Sequence, residues 1–257
     1  LKFAKKNKLF LIEDCSQAHG AIYKGRKVGS FGDISTWSFC QDKIMSTGGE
    51  GGMISTNNKK LWLKLWSLKD HGKNYKSVFN KKHNIGFKWL HDDLGSNYRM
   101  TEMQAVIGRD QLKSLDKQIK KRNLIANLYL NGLKDYYSKY DMLKKPGFEC
   151  QTYNSKKNNQ HVHAFYRLNL FINKNKINQK KLIEQLNKNK INCGVGSCPE
   201  IYREKIFKKL KFHPKKRLFN AKLLGETSIM FPINPYKSLI KLKLEIIAIK
   251  KILNNFS

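Results

Sequence analysis

The chain has 257 residues, 51 Lys and Arg against 19 Asp and Glu, and 40% hydrophobic residues. This is the composition of a soluble globular protein with one large domain or two modest ones, and no apolar run approaches the roughly 18–20 residues of a membrane span. The net charge of +32 raises nucleic-acid binding, but the lysines are spread along the chain and no zinc-finger, KH or RRM signature occurs. Compositional drift, with weak sequence-independent polyanion binding as a by-product, is the reading adopted.

The chain opens on Leu1, not Met, and "LKFAKKNK" reads as the end of an amphipathic helix. This suggests a start inside a longer protein. No signal peptide is expected there, because an acidic pair follows the short apolar run and no cleavage site does. An apolar strand over Leu9–Ile12 then ends at two carboxylates, Glu13 and Asp14. Turn residues Gly25, Gly29 and Gly32 precede a strand over Ile34–Phe39. A glycine cluster, Gly48, Gly49, Gly51 and Gly52 around Glu50, leads into another short strand, "GGMIST". Next comes a helix with Leu61, Leu65 and Leu68 on one face and Gly72 as its C-cap. A long helix begins at a Thr101/Gln104 capping box and carries a stripe of Ala105, Gly108, Leu112, Leu115 and Ile119.

Residues 141–160 form a polar connection. Beyond it lie a strand ("AFYRLNLFI"), a helix around Leu182, Ile183 and Leu186, a loop at Gly194–Pro199 and a last helix over 238–254. Strands alternating with helices imply an α/β layer architecture with a buried, mostly parallel sheet. The expected domains are residues 1–135, α/β with the long helix, and a smaller α+β domain over 136–257. Five cysteines, Cys15, Cys40, Cys150, Cys193 and Cys198, include no CxxC. They fit neither a disulfide framework nor a zinc site, and they point to a reducing cytoplasm with no metal.

Chemistry concentrates in the first part. Ligands of open α/β sheets sit beyond the carboxyl ends of the strands. Asp14 is at such an end, and taken alone it reads as an ordinary turn residue. Ser38, at the end of the next strand, can hold a phosphate. Lys43, five residues on, can form a Schiff base, and the glycines after it let backbone approach a ligand closely. A strand-end Asp with a Schiff-base lysine is the pair that pyridoxal 5′-phosphate (PLP) requires. The glycine run is not a P-loop, since the lysine precedes it.

In order, the chain shows E-D-x-x-Q-A-H-G (13–20), G-x-x-G-D (29–33), S-F-x-x-x-K (38–43) and G-G-E-G-G (48–52), followed by "DDLGSNYRMTEMQAVIGRDQL". This succession resembles the DegT/DnrJ/EryC1/StrS family of PLP-dependent sugar aminotransferases. "GVGSCPEIYREKIF" and "LGETSIMFPINP" resemble its C-terminal domain, which varies more. The resemblance implies fold type I, the aspartate aminotransferase-like fold, here as a partial large domain plus the smaller C-terminal domain.

It also implies roles. Asp14 would pair with the PLP ring nitrogen, Gln17 would lie beside the ring, and Ser38 would bind the phosphate. Lys43 would carry the Schiff base and shuttle a proton. Asn97 would reach the cofactor phosphate of a neighbouring subunit in a homodimer, and Arg99 would help with an anionic substrate group. For His19, touching the cofactor and capping the turn at Gly20 stay open. Glu50 reads as structural, His71–Gly72 as a helix end, and Tyr202 and Glu204 as pocket lining or packing.

The substrates implied are a nucleotide-linked keto sugar and glutamate, in surface polysaccharide or amino-sugar biosynthesis. Relatives that dehydrate sugars carry histidine at the lysine position, so Lys43 favours transamination. The family also has a large N-terminal segment ahead of the point where this chain starts. It supplies a phosphate site, a stacking ring and several strands. A truncated, non-catalytic ligand-binding or regulatory protein is therefore the alternative, and an open sheet edge is expected.

Overall fold

Short strands alternate with helices in the computed structural model, which describes residues 1–145, 161–196 and 198–256. In chain order the elements are α1 (Lys2–Lys6), β1 (Ile12–Asp14), β2 (Ile22–Tyr23), β3 (Arg26–Lys27), β4 (Ile34–Ser38), β5 (Gly52–Ser55), α2 (Lys59–Lys69), α3 (Tyr75–Phe79) and α4 (Glu102–Gly132). There follow α5 (Lys134–Ser138), β6 (Leu143–Lys144), β7 (His161–Val162), β8 (Arg167–Ile172), α6 (Gln179–Lys188), a 3-10 turn (Ile201–Arg203), α7 (Lys205–Lys209), α8 (Phe219–Thr227), β9 (Ser228–Pro232) and α9 (Leu239–Asn254). Asparagine opens three of the helices. Asn58, Asn74 and Asn178 each accept from first-turn amides of α2, α3 and α6, satisfying donors that have no partner within the helix.

The chain divides into two compact units. The first is Leu1–Lys117, joined by the stretch that ends at Ala164; the second starts at Gln118 and takes up again at Phe165. The division thus falls inside α4, where the domain boundary read from the sequence stood at 135/136. Residues 146–160 of the expected connection lie outside the described residues, as does Cys150. Cys15, Cys40, Cys193 and Cys198 are free thiols. Among the described residues, no helix is long and apolar enough to cross a membrane.

In the first unit β4 is the central strand, parallel to β1 and antiparallel to β5. The mostly parallel sheet read from the sequence is therefore mixed at this point. The link from Phe39 to Gly51 holds no helix to carry a crossover, so β5 turns back along β4. The first strand also differs from expectation: it starts at Ile12, and Leu9, Phe10 and Ile12 are exposed. A second small sheet has the order β3-β2-β7. On α2 the expected leucine face is incomplete. Leu68 is exposed, and Trp62 and Trp66 pack instead on Tyr75 at 5.1 and 5.0 Å between ring centroids.

The α4 stripe holds at Gly108 and Ile119, but Leu112 is 58% exposed. Gly108 faces Thr47, where an added Cβ would lie 3.0 Å from Cγ2. Leu112 falls between that contact and the buried Ile119.

The second unit has the larger core. Its antiparallel sheet, in the order β6-β8-β9, packs Leu168, Leu170 and Phe231 against Tyr129 and Leu133 of α4 and the adjoining turn, and against Leu242 and Leu253 of α9. Tyr129 stacks on Phe231 with centroids 5.4 Å apart. The segment from Glu200 to Leu218 is closed at its base. Arg217 donates to both Glu200 oxygens, and the Tyr202 hydroxyl donates to Glu200 Oε1 at 2.6 Å while accepting from Leu218 N. Tyr202 thus packs this closure.

Candidate active site

The alternation of side chains along a strand separates the two carboxylates at the end of β1. Glu13 is level with Ser35 of β4, and Asp14 with Thr36. Glu13, Ser35 and Trp37 share one face. There the Glu13 carboxylate accepts from Gly29 N, Phe31 N and Gly32 N at 2.8, 2.6 and 2.6 Å, and Ser35 Oγ donates to Gly29 O. Gly29 has φ +89, and a Cβ on it would strike Trp37 at 2.3 Å. Glu13 therefore builds the turn, a role the sequence reading missed. The signal was present: adjacent residues of a strand point to opposite faces.

Asp14 and Ser38 occupy the other face, Ser38 being two residues past the partner of Asp14. Asp14 is exposed, and its Oδ1 accepts from Ser16 N at 3.0 Å and Ser16 Oγ at 2.6 Å. These two bonds, the hydroxyl first, hold its carboxyl below the usual range, against a small effect of burial and with help from the Lys43 cation. Asp14 and Lys43 thus act on each other electrostatically. Lys43 is largely enclosed (side chain 16% exposed), and its Nζ lies 3.6 Å from Asp42 Oδ1.

The segment that carries the lysine is fixed at both ends. Lys43 N donates to Cys40 O, Thr47 N to Phe39 O, and Phe39 N to Gly51 O. Ile44, Met45 and Thr47 are buried. The glycine turn then docks on the start of α4. Thr101 N donates to Gln104 Oε1 at 3.0 Å, as the capping box predicts, and Gln104 Nε2 donates to Glu50 O at 2.8 Å. Thr47 Oγ1 donates to the same carbonyl at 3.1 Å. The Glu50 side chain takes a contact from Cys40 Sγ at 3.4 Å, so its attachments are local.

His19 is buried between Trp37 and Phe39, at ring-centroid distances of 5.3 and 5.8 Å. Trp37 projects from the face opposite Asp14 and Ser38, and His19 packs against it there. Gln17 is exposed, three residues beyond Asp14.

Asn97 and Arg99 form a second cluster. Arg99 Nε donates to Asn97 Oδ1 at 3.0 Å, and Arg99 Nη2 lies 3.5 Å from His71 Nε2. The end of α2 zips onto this segment: Ser96 N donates to Leu68 O, Tyr98 N to Lys69 O, and His71 N to Ser96 O. The helix ends at Lys69 with Asp70, not the expected Gly72, as its C-cap; His71 at φ +58 and Gly72 at φ +80 then turn the chain, and Gly72 N donates back to Ser67 O. In the second unit, a cavity of about 440 Å³ bordered by Lys144, Lys145, Phe171 and Lys174 includes none of the expected site residues.

A model of the DegT/DnrJ/EryC1/StrS aminotransferase family matches residues 1–242. The chain belongs to that family. An aminotransferase from Psychrobacter cryohalolentis superposes with a TM-score of 0.91 at 42% identity, over 99% of this chain and 64% of that one. An uncharacterised Methanocaldococcus jannaschii protein is 33% identical over 237 residues, 91% of this chain and 58% of that protein. A GDP-perosamine synthase of Escherichia coli O157:H7 is 42% identical over 133 residues, 52% of this chain and 34% of the enzyme. The chain thus spans less than two thirds of the length of these DegT/DnrJ/EryC1/StrS relatives. Its fold is the type I aminotransferase fold implied by the sequence motifs.

Proposed function

We propose that this protein is a PLP-dependent aminotransferase that transfers an amino group from glutamate to a nucleotide-linked keto sugar, in the cytoplasm. The observation that carries the reading is that Asp14 and Ser38 share one sheet face, with the enclosed Lys43 five residues past Ser38 on a turn anchored at both ends. The family membership and the likeness to a GDP-perosamine synthase support the substrate class.

The donor set fits PLP. An ionised carboxylate at an open strand end, a hydroxyl on the same face and an enclosed amine on the turn that follows match a protonated ring nitrogen, a phosphate and an aldehyde. When bound, PLP supplies an aldehyde and an electron-withdrawing ring. Asp14 would keep the proton on the ring nitrogen. Ser38 Oγ would donate to the phosphate, and Gln17 would lie beside the ring. Lys43 Nζ would bind the aldehyde and then carry the proton taken from the substrate carbon. Its placement depends on the anchored 39–51 turn.

Asn97 and Arg99 would serve a site shared across a homodimer, Asn97 at the partner's cofactor phosphate and Arg99 at an anionic substrate group. The exposed Phe87, Trp89, Leu94 and Tyr98 support an interface there. Protein loaded with PLP and mixed with glutamate should release an equivalent of 2-oxoglutarate, and Lys43→Ala should release none. PLP binding without any release would instead favour a non-catalytic ligand-binding role.

A further inference from the structure

The end of α2 carries a carboxylate for which the proposed mechanism has no use. Asp70 is 9% exposed, in a chain where most charges are solvated. Lys73 Nζ lies 3.1 Å from Oδ1, Lys69 Nζ 3.6 Å from Oδ2 and Arg99 Nε 3.8 Å from Oδ1. Three cations thus surround one carboxylate. Burial raises its carboxyl, and Lys73, Lys69 and Arg99 outweigh that and keep it ionised. The nearby Asp92 is engaged with the Asn74 amide.

Backbone geometry fixes Asp70 opposite Asn97. The two form an antiparallel bridge. A Cβ on Gly72 would lie 1.6 Å from Asp93 O, and one on Gly95 would lie 2.1 Å from Gly72 N, so the two segments approach as closely as only glycine allows. Arg99 Nε is shared between Asn97 Oδ1 and Asp70 Oδ1. Of its other two nitrogens, Nη2 lies 3.5 Å from His71 Nε2.

We propose that Asp70 is the positioning residue of an anion site, holding Lys73 and Arg99 beside Asn97 so that their spare donors converge on a phosphate or diphosphate group. This rests on the reading of Asn97 and Arg99 as anion ligands. The shared chemistry is a phosphoryl group, whether it belongs to the cofactor or to the nucleotide sugar.

The test exploits a difference in sign. Asp70→Asn removes a negative charge beside three cations, so electrostatics alone tightens anion binding. If Asp70 positions the cations, the same change weakens it. Binding of inorganic phosphate and of pyrophosphate to the full chain is measured by calorimetry at moderate salt, with a thermal melt on each variant. The expected result is a loss of about fivefold or more for Asp70→Asn and for Arg99→Ala. Preference for phosphate points to the cofactor as source, and preference for pyrophosphate to the nucleotide. Unchanged or tighter binding by Asp70→Asn overturns the proposal. Binding that ignores Arg99→Ala overturns the underlying reading, and the proposal with it. Should Asp70→Asn fail to fold, Asp70→Glu keeps the charge and moves it by one methylene. Positioning predicts weaker binding there too, and unchanged binding rejects it.

Discussion

Gln104 and Glu50 are joined by a hydrogen bond of 2.8 Å, from the Gln104 side-chain amide to the Glu50 carbonyl, while the other end of the same amide caps α4. One side chain therefore couples the helix start to the turn that carries Lys43. Gln104→Glu keeps the acceptor for Thr101 N and loses the donor to Glu50 O. It should cost about 1 kcal/mol in urea unfolding, with helix content unchanged by circular dichroism. Gln104→Ala loses both bonds and should cost more. Equal stability of Gln104→Glu and wild type would mean the tie contributes nothing.

Gly51 and Thr47 make the turn tight. A Cβ on Gly51 would lie 2.2 Å from Thr47 Oγ1 and 3.3 Å from Phe39 Cβ. Gly51→Ala should cost roughly 1–3 kcal/mol through overpacking. In a Thr47→Ala background, where Oγ1 is gone, the cost should fall. A double-mutant cycle of unfolding free energies checks this, and additive costs would place the strain elsewhere.

Much of this site was legible in the sequence. Motif order singled out Asp14, Ser38 and Lys43, the first two of which the fold puts on one sheet face, and the capping box gave the start of α4. Periodicity, however, names an element without naming its neighbours. That Glu13 would serve Gly29, Phe31 and Gly32 depends on a contact across 16–19 residues. That β5 would run antiparallel depends on how the 39–51 link turns. The exposure of Phe10, Ile12 and Leu112 depends on which surfaces receive a covering element, which the pattern of a single segment does not encode. Asp70 escaped notice because "KDHG" reads as a helix end, and only the folded chain brings Arg99 to it.

Gly72 has no substitute among L-residues. Its φ of +80 and the 1.6 Å approach of a Cβ to Asp93 O combine backbone strain with a clash against main chain. Gly72→Ala should destabilise by on the order of 3 kcal/mol. It should also loosen the 92–99 segment, seen as faster amide exchange at Asp92 and Asp93, whose amides bond to Gly72 O. Protection equal to wild type would contradict this.

Arg217 first, and then Tyr202, lower the Glu200 carboxyl from its ordinary 4.5 to about 2. A depressed carboxyl contributes stability that is complete above about pH 4.5 and is lost as the pH falls to about 2. Glu200→Gln should therefore destabilise at neutral pH, and its melting curve should converge with that of wild type near pH 2. A difference that persists unchanged at pH 2 would show that the pair does not act through the ionised carboxylate.

The most direct measurement of the central claim is to load the protein with PLP, reduce it with borohydride and map the labelled peptide. The proposed role of Lys43 predicts a pyridoxyl group on Lys43 alone, in a chain rich in competing lysines, and no stable label in Lys43→Ala. A label distributed over other lysines, or one that survives Lys43→Ala, would contradict the account.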